Sequence, residues 1–173
     1  MKKAAKKPGR KLSHIDRRGN ARMVDITGKP ETQREAVAEA TVVLEAATWA
    51  LATAGKVAKG DVLSAARLAG IMAAKRTPDL IPLCHPLQLS QVDLTFDASP
   101  AARGRIALRI LAVTRCFGQT GVEMEAMTAA AVAALTLYDM CKAADRWMRI
   151  EGVRLLEKRG GKSGTVRRPG ARG

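Results

Sequence analysis

The strongest constraint on the fold lies between residues 87 and 116. Arg105–Cys116 alternates apolar and polar side chains almost throughout, the period of a strand with one buried face. Ahead of it, Val92, Leu94 and Phe96 fall on one alternating set and Leu87 with Leu89 on the other. A bulge near Ser90–Gln91 reconciles the two sets. Ser99–Pro100 through Gly104 then joins the two strands as a hairpin, so the chain is committed to an antiparallel pair.

The flanking segments suggest what surrounds that pair. Arg22–Thr27 reads as a short strand closed by Gly28. Pro30 suits the first turn of a helix and Glu31 its positive end. Val37, Ala40, Leu44, Ala47 and Leu51 recur at three- and four-residue spacing up to Gly55, which predicts a helix over about 30–53. Asp61 can cap a second helix carrying Val62, Ala65, Ala66, Ala69 and Ala73, ending near Thr77–Pro78. Pro82 and Pro86 around His85 forbid helix and central strand alike, so IPLCHPL must be a rigid irregular connection. Thr120 can cap a long helix running to about Trp147, and Val153–Glu157 makes a last short strand.

Strand, helix, helix, strand, strand, helix, strand is the split βαβ order. The expected fold is therefore α+β and ferredoxin-like, a four-stranded antiparallel sheet with helices packed on one face. Its other face would need cover, which points to assembly. Hydrophobic residues make up 47% of the chain but aromatics only 3%. Small side chains fill a core thinly, so burial between subunits is a natural supplement.

Net charge is +14, yet residues 1–12 and 158–173 each hold six Lys or Arg and no acid. The body from 13 to 157 holds 18 basic and 16 acidic residues and nets only +2. The organisation expected is a basic disordered arm over 1–12, one domain over 13–164, and a basic disordered tail over 165–173. With the excess in the ends rather than on a folded face, nucleic acid is not the expected partner. Cys84, Cys116 and Cys141 are widely spaced with no CxxC or HxxxH, against a zinc site or a disulfide framework. No apolar run has the length of a membrane span, and the expected location is cytoplasmic.

Several residues could carry chemistry. Asp139 and Lys142 are three apart on one helix face, either a surface ion pair or a general acid and base tuning each other. Glu123 and Glu125 stand at the start of that helix, where acids complement the dipole or hold a substrate amine. His85 lies between two prolines, which aims its ring more readily than it packs it. EKRGGKSG is no nucleotide-binding P-loop, since Leu156 stands where the first glycine belongs and no helix follows. Gly160, Gly161 and Gly164 with Lys158 and Lys162 can still cradle a phosphate, or form a flexible basic tail. Lys59 and Arg34, each taken alone, read as solvated charges.

Together these segments resemble a known family. MVDITGKPETQREAVAEA, KGDVLSAARLAGIMAAKRTPDLIPLCHPL, TGVEMEAMTAAAVAALTLYDMCKA and VRLLEKRGGKSG are similar, in order, to the signature blocks of the cyclic pyranopterin monophosphate synthase family. That resemblance implies a lyase of molybdenum-cofactor synthesis that converts a cyclised dihydro-GTP, made by an upstream radical enzyme, to cyclic pyranopterin monophosphate and diphosphate. It implies a homo-oligomer, a hexamer built as a trimer of dimers, with sites between subunits. No cofactor is required, and a divalent metal could accompany the phosphates. By position Asp139, Lys142 and Lys59 match catalytic residues. Leu83, Cys84, His85, Glu123, Met124, Glu125, Lys158 and Lys162 match substrate-binding residues. Arg34 matches a basic residue that reaches the pocket from a neighbouring subunit. Gln119 stands where the family carries lysine, and Arg159 where it carries serine. Competing readings are a basic nucleic-acid-binding module and a catalytically silent relative kept for assembly. The scarcity of aromatics speaks against the first and the retained motif acids and bases against the second.

Overall fold

A computed structural model describes residues 14–16, 18–54 and 60–170. Residues 1–12, expected as an arm, and Lys59 lie outside the described residues. The elements are β1 (Thr32–Glu45), α1 (Ala46–Thr53), α2 (Val62–Lys75), α3 (Thr77–Leu80), β2 (Leu89–Ala101), β3 (Arg105–Gly118), α4 (Glu123–Cys141), β4 (Arg149–Arg159) and β5 (Val166–Arg167). The sheet runs β2-β3-β1-β4-β5 with every neighbouring pair antiparallel. Its first four strands have the order of the expected ferredoxin-like plan, and the sheet has five strands rather than four. Among the described residues no helix is long and apolar enough to cross a membrane.

The hairpin forms as expected. β2 slips register between Leu89 and Gln91, which brings Leu89, Val92 and Phe96 all against the core. Pro100 sits in β2 opposite Ile106, tolerated because β2 is an edge strand. IPLCHPL is irregular from Ile81 onward, and Asp61 caps α2 by accepting from the Ser64 amide at 3.0 Å.

The first half of the chain departs from expectation. Arg22–Thr27 forms no strand. The segment expected as one helix over 30–53 instead supplies β1, with only Ala46–Thr53 helical. Ala36, Ala38, Ala40, Val42 and Leu44 are fully buried and follow a strand period of two. β1 lies between β3 and β4, and α4 packs along one face of it, so tertiary context overrides alanine's helical preference. The strand that opens the split βαβ plan is thus present, but ten residues later than Arg22.

Alanine suits that face because two helices press on it. α4 presents Ala126, Ala129, Ala130, Ala133 and Ala134, all fully buried, and α2 presents Ala66, Gly70, Ala73 and Ala74. A Cβ on Gly70 would stand 2.6 Å from Leu94 Cδ2 and 2.9 Å from the Ala129 carbonyl oxygen. The opposite sheet face is mixed, with Glu35, Glu39, Arg109 and Arg115 among apolar Val37, Val43, Leu111 and Val113. Glu39, 5% exposed, accepts from Arg109 Nε and Arg154 Nε at 2.6 Å each. Burial opposes its charge, but those two arginines outweigh it and hold the carboxyl below its ordinary range.

Two boundaries of α4 also move. Val122, not Thr120, precedes its first turn, without a side-chain cap. The helix stops at Cys141, short of Trp147, because Asp145 turns inward to accept from the Glu45 amide at 2.9 Å and the Trp147 amide at 3.0 Å. The expected tail from 165 is partly structured. β5 pairs with Glu157–Lys158, the Arg168 amide donates to the Leu156 carbonyl, and Arg167 Nε donates to Glu157 at 2.9 Å.

Candidate active site

One end of the sheet gathers most of the residues singled out by sequence. There the IPLCHPL connection, the turn before α4 and the irregular segment before β1 enclose a cleft of ≈ 340 Å³. Leu83, Cys84 and His85 line one wall and Glu123, Met124 and Glu125 another. The two prolines keep the connection extended past the cleft, and the first turn of α4 carries the acids into it. His85 Nε2 donates to the Val24 carbonyl at 2.9 Å, which fixes the tautomer of a neutral ring and leaves Nδ1 as its acceptor. The same bond fastens the segment that brings His14, Val24, Ile26 and Lys29 to the cleft. Sequence reasoning missed these four and Thr120 as lining residues. No local pattern marks them, because the segment is tied to the cleft through His85, 61 residues away from Val24.

The two motif acids are in different states. Glu123 pairs with Lys158 Nζ at 2.7 Å, and its carboxylate folds over Gly121, where any Cβ would overlap it. Glu125 is 3% exposed. Burial, reinforced by the neighbouring Glu123 charge and only partly offset by a bond to its own amide, raises its carboxyl to about 7. The Cys84 and Cys116 thiols are pushed up by burial and by Glu125. Glu125 therefore holds its proton more tightly than a free carboxyl does, while its neighbour Glu123 holds the Lys158 cation.

Arg34 belongs to this end of its own chain. Its Nε donates to the Gly118 carbonyl at 3.1 Å and its Nη2 to the Gln119 carbonyl at 3.2 Å. Its guanidinium lies on Gly161, and the chain turns there through φ 94 at Gly160 and 67 at Gly161. No side chain fits at either glycine, which is why the turn that presents the exposed Lys162 begins with two. Lys158, Lys162 and Arg34 thus form a basic margin beside the cleft.

Asp139 and Lys142 are elsewhere. They pair at 2.6 Å on the last turn of α4, each about half exposed, and Asp139 raises the Lys142 pKa by hydrogen bond and charge. Sixteen helical residues separate Asp139 from Glu123, about 24 Å along the axis. Within one chain the pair is not part of the cleft. Among the described residues no three His, Cys, Asp or Glu side chains gather where they could hold a metal ion.

The comparisons with known proteins cover the same residues. The sequence model of the MoaC family matches residues 23–161. The chain is 57% identical to a cyclic pyranopterin monophosphate synthase of Chloroflexus aggregans, over 91% of this chain and 93% of that protein. It is 58% identical to the synonymous protein of Chloroflexus aurantiacus, over 91% and 95%, and 56% identical to that of Pelotomaculum thermopropionicum, over 92% of each. The matched span takes in the IPLCHPL wall, the GVEME turn, the Asp139–Lys142 pair and the strand that carries Lys158. A chain with this fold, these motifs and this degree of identity over nearly its full length belongs to the MoaC family.

Proposed function

We propose that the chain is a cyclic pyranopterin monophosphate synthase, a lyase that converts cyclised dihydro-GTP to cyclic pyranopterin monophosphate and diphosphate in molybdenum-cofactor synthesis. The observation that carries this reading is the cleft itself, whose walls are the two most specific motif blocks. Leu83, Cys84, His85, Met124 and Glu125 hold the ring system. Lys158, Lys162 and Arg34 meet the triphosphate. A substrate hydroxyl attacks the α-phosphorus, the bond to the β-phosphate breaks, and diphosphate leaves. Its negative charge calls for preorganised cations rather than a covalent nucleophile. Asp139 and Lys142, with Lys59, move the protons of the ring rearrangement.

The 24 Å between the two halves favours a site shared by copies, in which Asp139 and Lys142 of one chain complete the cleft of another. A cleft of ≈ 340 Å³ is small for an intact nucleoside triphosphate, in keeping with a second wall from a neighbour. A homo-oligomer, a trimer of dimers as in the family, accommodates this. The three free thiols suit a reducing, cytoplasmic setting. Incubating the purified protein with cyclised dihydro-GTP tests the activity. Cyclic pyranopterin monophosphate and diphosphate should form in equal amounts, and a folded protein that yields neither disproves it.

A further inference from the structure

The turn between β4 and β5 is built from residues with little backbone preference of their own. Gly160, Gly161 and Gly164 all take positive φ, at 94, 67 and 60. Glycine gives up more conformational freedom than any other residue when it is fixed, so such a turn wanders unless both its ends are held. The entry is held from β1. Gly160 lies against the Gln33 carbonyl and Gly161 against the Arg34 guanidinium, with no room for a Cβ at either. Inside the turn the Gly164 amide donates to the Gly161 carbonyl at 3.0 Å.

The exit is held from β4, by residues that the sequence places in a basic tail. Val166 and Arg167 pair with Lys158 and Glu157. Arg167 Nε donates to the Glu157 carboxylate at 2.9 Å. The Arg168 amide donates to the Leu156 carbonyl at 2.7 Å, and Arg168 Nε to the Leu155 carbonyl at 3.0 Å. All of these partners beyond β4 lie past residue 161, where the family match ends. Between the two held ends stands the exposed Lys162. Opposite Val166 is Lys158, whose Nζ meets Glu123 at the cleft.

We propose that β5 is a clasp, which through Arg167 and Arg168 fixes the exit of the 160–165 turn and holds Lys158 and Lys162 in place for a phosphate group before it arrives. Arg167 and Arg168 are positioning residues and need touch no substrate. A turn ordered in advance spares binding that loss of freedom, so the clasp acts on affinity rather than on the chemical step. The proposal rests on the reading in which Lys158 and Lys162 meet the triphosphate, and it adds the segment that organises them.

Inorganic diphosphate is the probe, titrated into the full-length protein at constant ionic strength. Arg168→Pro removes the amide that donates to Leu156, whereas Arg168→Gln removes the same charge and keeps the amide. Arg168→Pro should weaken diphosphate binding about tenfold and speed hydrogen exchange at the Gly164 amide. Arg168→Gln should weaken binding by less than about threefold and leave that exchange near the parent's rate. Thermal midpoints of both should stay close to the parent's, because the altered residue is exposed. Lys162→Met should weaken diphosphate as well, which assigns the binding to this turn. Equal losses in the Pro and Gln variants would make the effect one of charge and overturn the proposal. An Arg168→Pro protein that binds like the parent overturns it too. With cyclised dihydro-GTP, Arg168→Pro should raise KM by a similar factor and leave kcat close to the parent's. If the diphosphate results are as expected and no product forms, the proposed activity falls and the clasp stands. A parent protein that does not bind diphosphate sinks the clasp and the phosphate reading of the turn together.

Discussion

At the scale of single residues, Glu125 is the group whose environment has the clearest chemical consequence. In an unfolded chain its carboxyl titrates near 4.5, and in the folded cleft at about 7. The native state holds that proton more tightly, so the folded protein loses stability as pH rises from about 4.5 to about 7, by about 3 kcal/mol in total. Above that window the whole penalty is present. Glu125→Gln removes the titration, and subtracting its stability-against-pH curve from the parent's should leave one fall within that window. Denaturant melts at a series of pH values read this directly, and a flat difference curve disproves it. Asp139 and Lys142 call for the opposite expectation. As a half-exposed pair they contribute little to stability, so Asp139→Asn and Lys142→Met should leave the thermal midpoint close to the parent's. Single-turnover rates of both should fall about 100-fold or more, the scale of a lost acid or base. Normal rates would remove this helix face from the reaction.

At the scale of elements, the contact between α2, α4 and β1 sets how much each can change. Gly70→Ala gains helix propensity but drives a methyl into Leu94 and the Ala129 carbonyl. We expect a net loss of about 1–3 kcal/mol in urea melts, since overpacking at a backbone contact outweighs the propensity gain. A variant as stable as the parent would show that α2 shifts freely. This same packing explains what was legible in the sequence. The hairpin with its bulge, the Asp61 cap and the Pro-flanked connection are local chemistry, and residues within a few positions determine them. β1 is not local. Ala36, Ala38 and Ala40 are small because α4 lies over them, and a run of alanines between glutamates carries the same letters as a helix. The β-branched run Thr41-Val42-Val43 favours a strand, but the helical spacing of Val37, Ala40, Leu44, Ala47 and Leu51 does not use it. Trp147 misled at the end of α4 because Asp145, not the helix's own periodicity, decides where it stops, and Thr120 misled at its start because no side chain caps the first turn.

At the scale of the molecule, complementation decides between a site within one chain and a site between copies. Lys158→Met disables the cleft end and Asp139→Asn the helix end, so each homo-oligomer should be inactive. Random reassembly makes half the pairs mixed, each with one intact site, and activity should return to about a quarter of the parent's. A mixture that co-assembles and stays inactive puts both halves in one chain. The motifs lent themselves to reading one by one, and the structure brings LCH and GVEME into one wall set. That Asp139 and Lys142 stand at the far end was not legible, because helix spacing reports a shared face and not which neighbour meets it. The sheet's outer margins bear on how such neighbours can meet. β2 carries Pro100, Asp93, Asp97 and the irregularity near Ser90 along one margin. On the other side β5 pairs only with Glu157–Lys158 of β4, and the rest of that margin carries Arg149, Glu151 and Arg154, with slips in pairing around Gly152, where φ is 69. Proline, charge and bulges are poor templates for a further strand. Ribbon-like growth, one sheet continuing into the next without end, is thereby discouraged. What remains open to a second copy is closed, countable association through surfaces and ends, so a chain made in abundance in the cell should stop at a defined particle rather than polymerise.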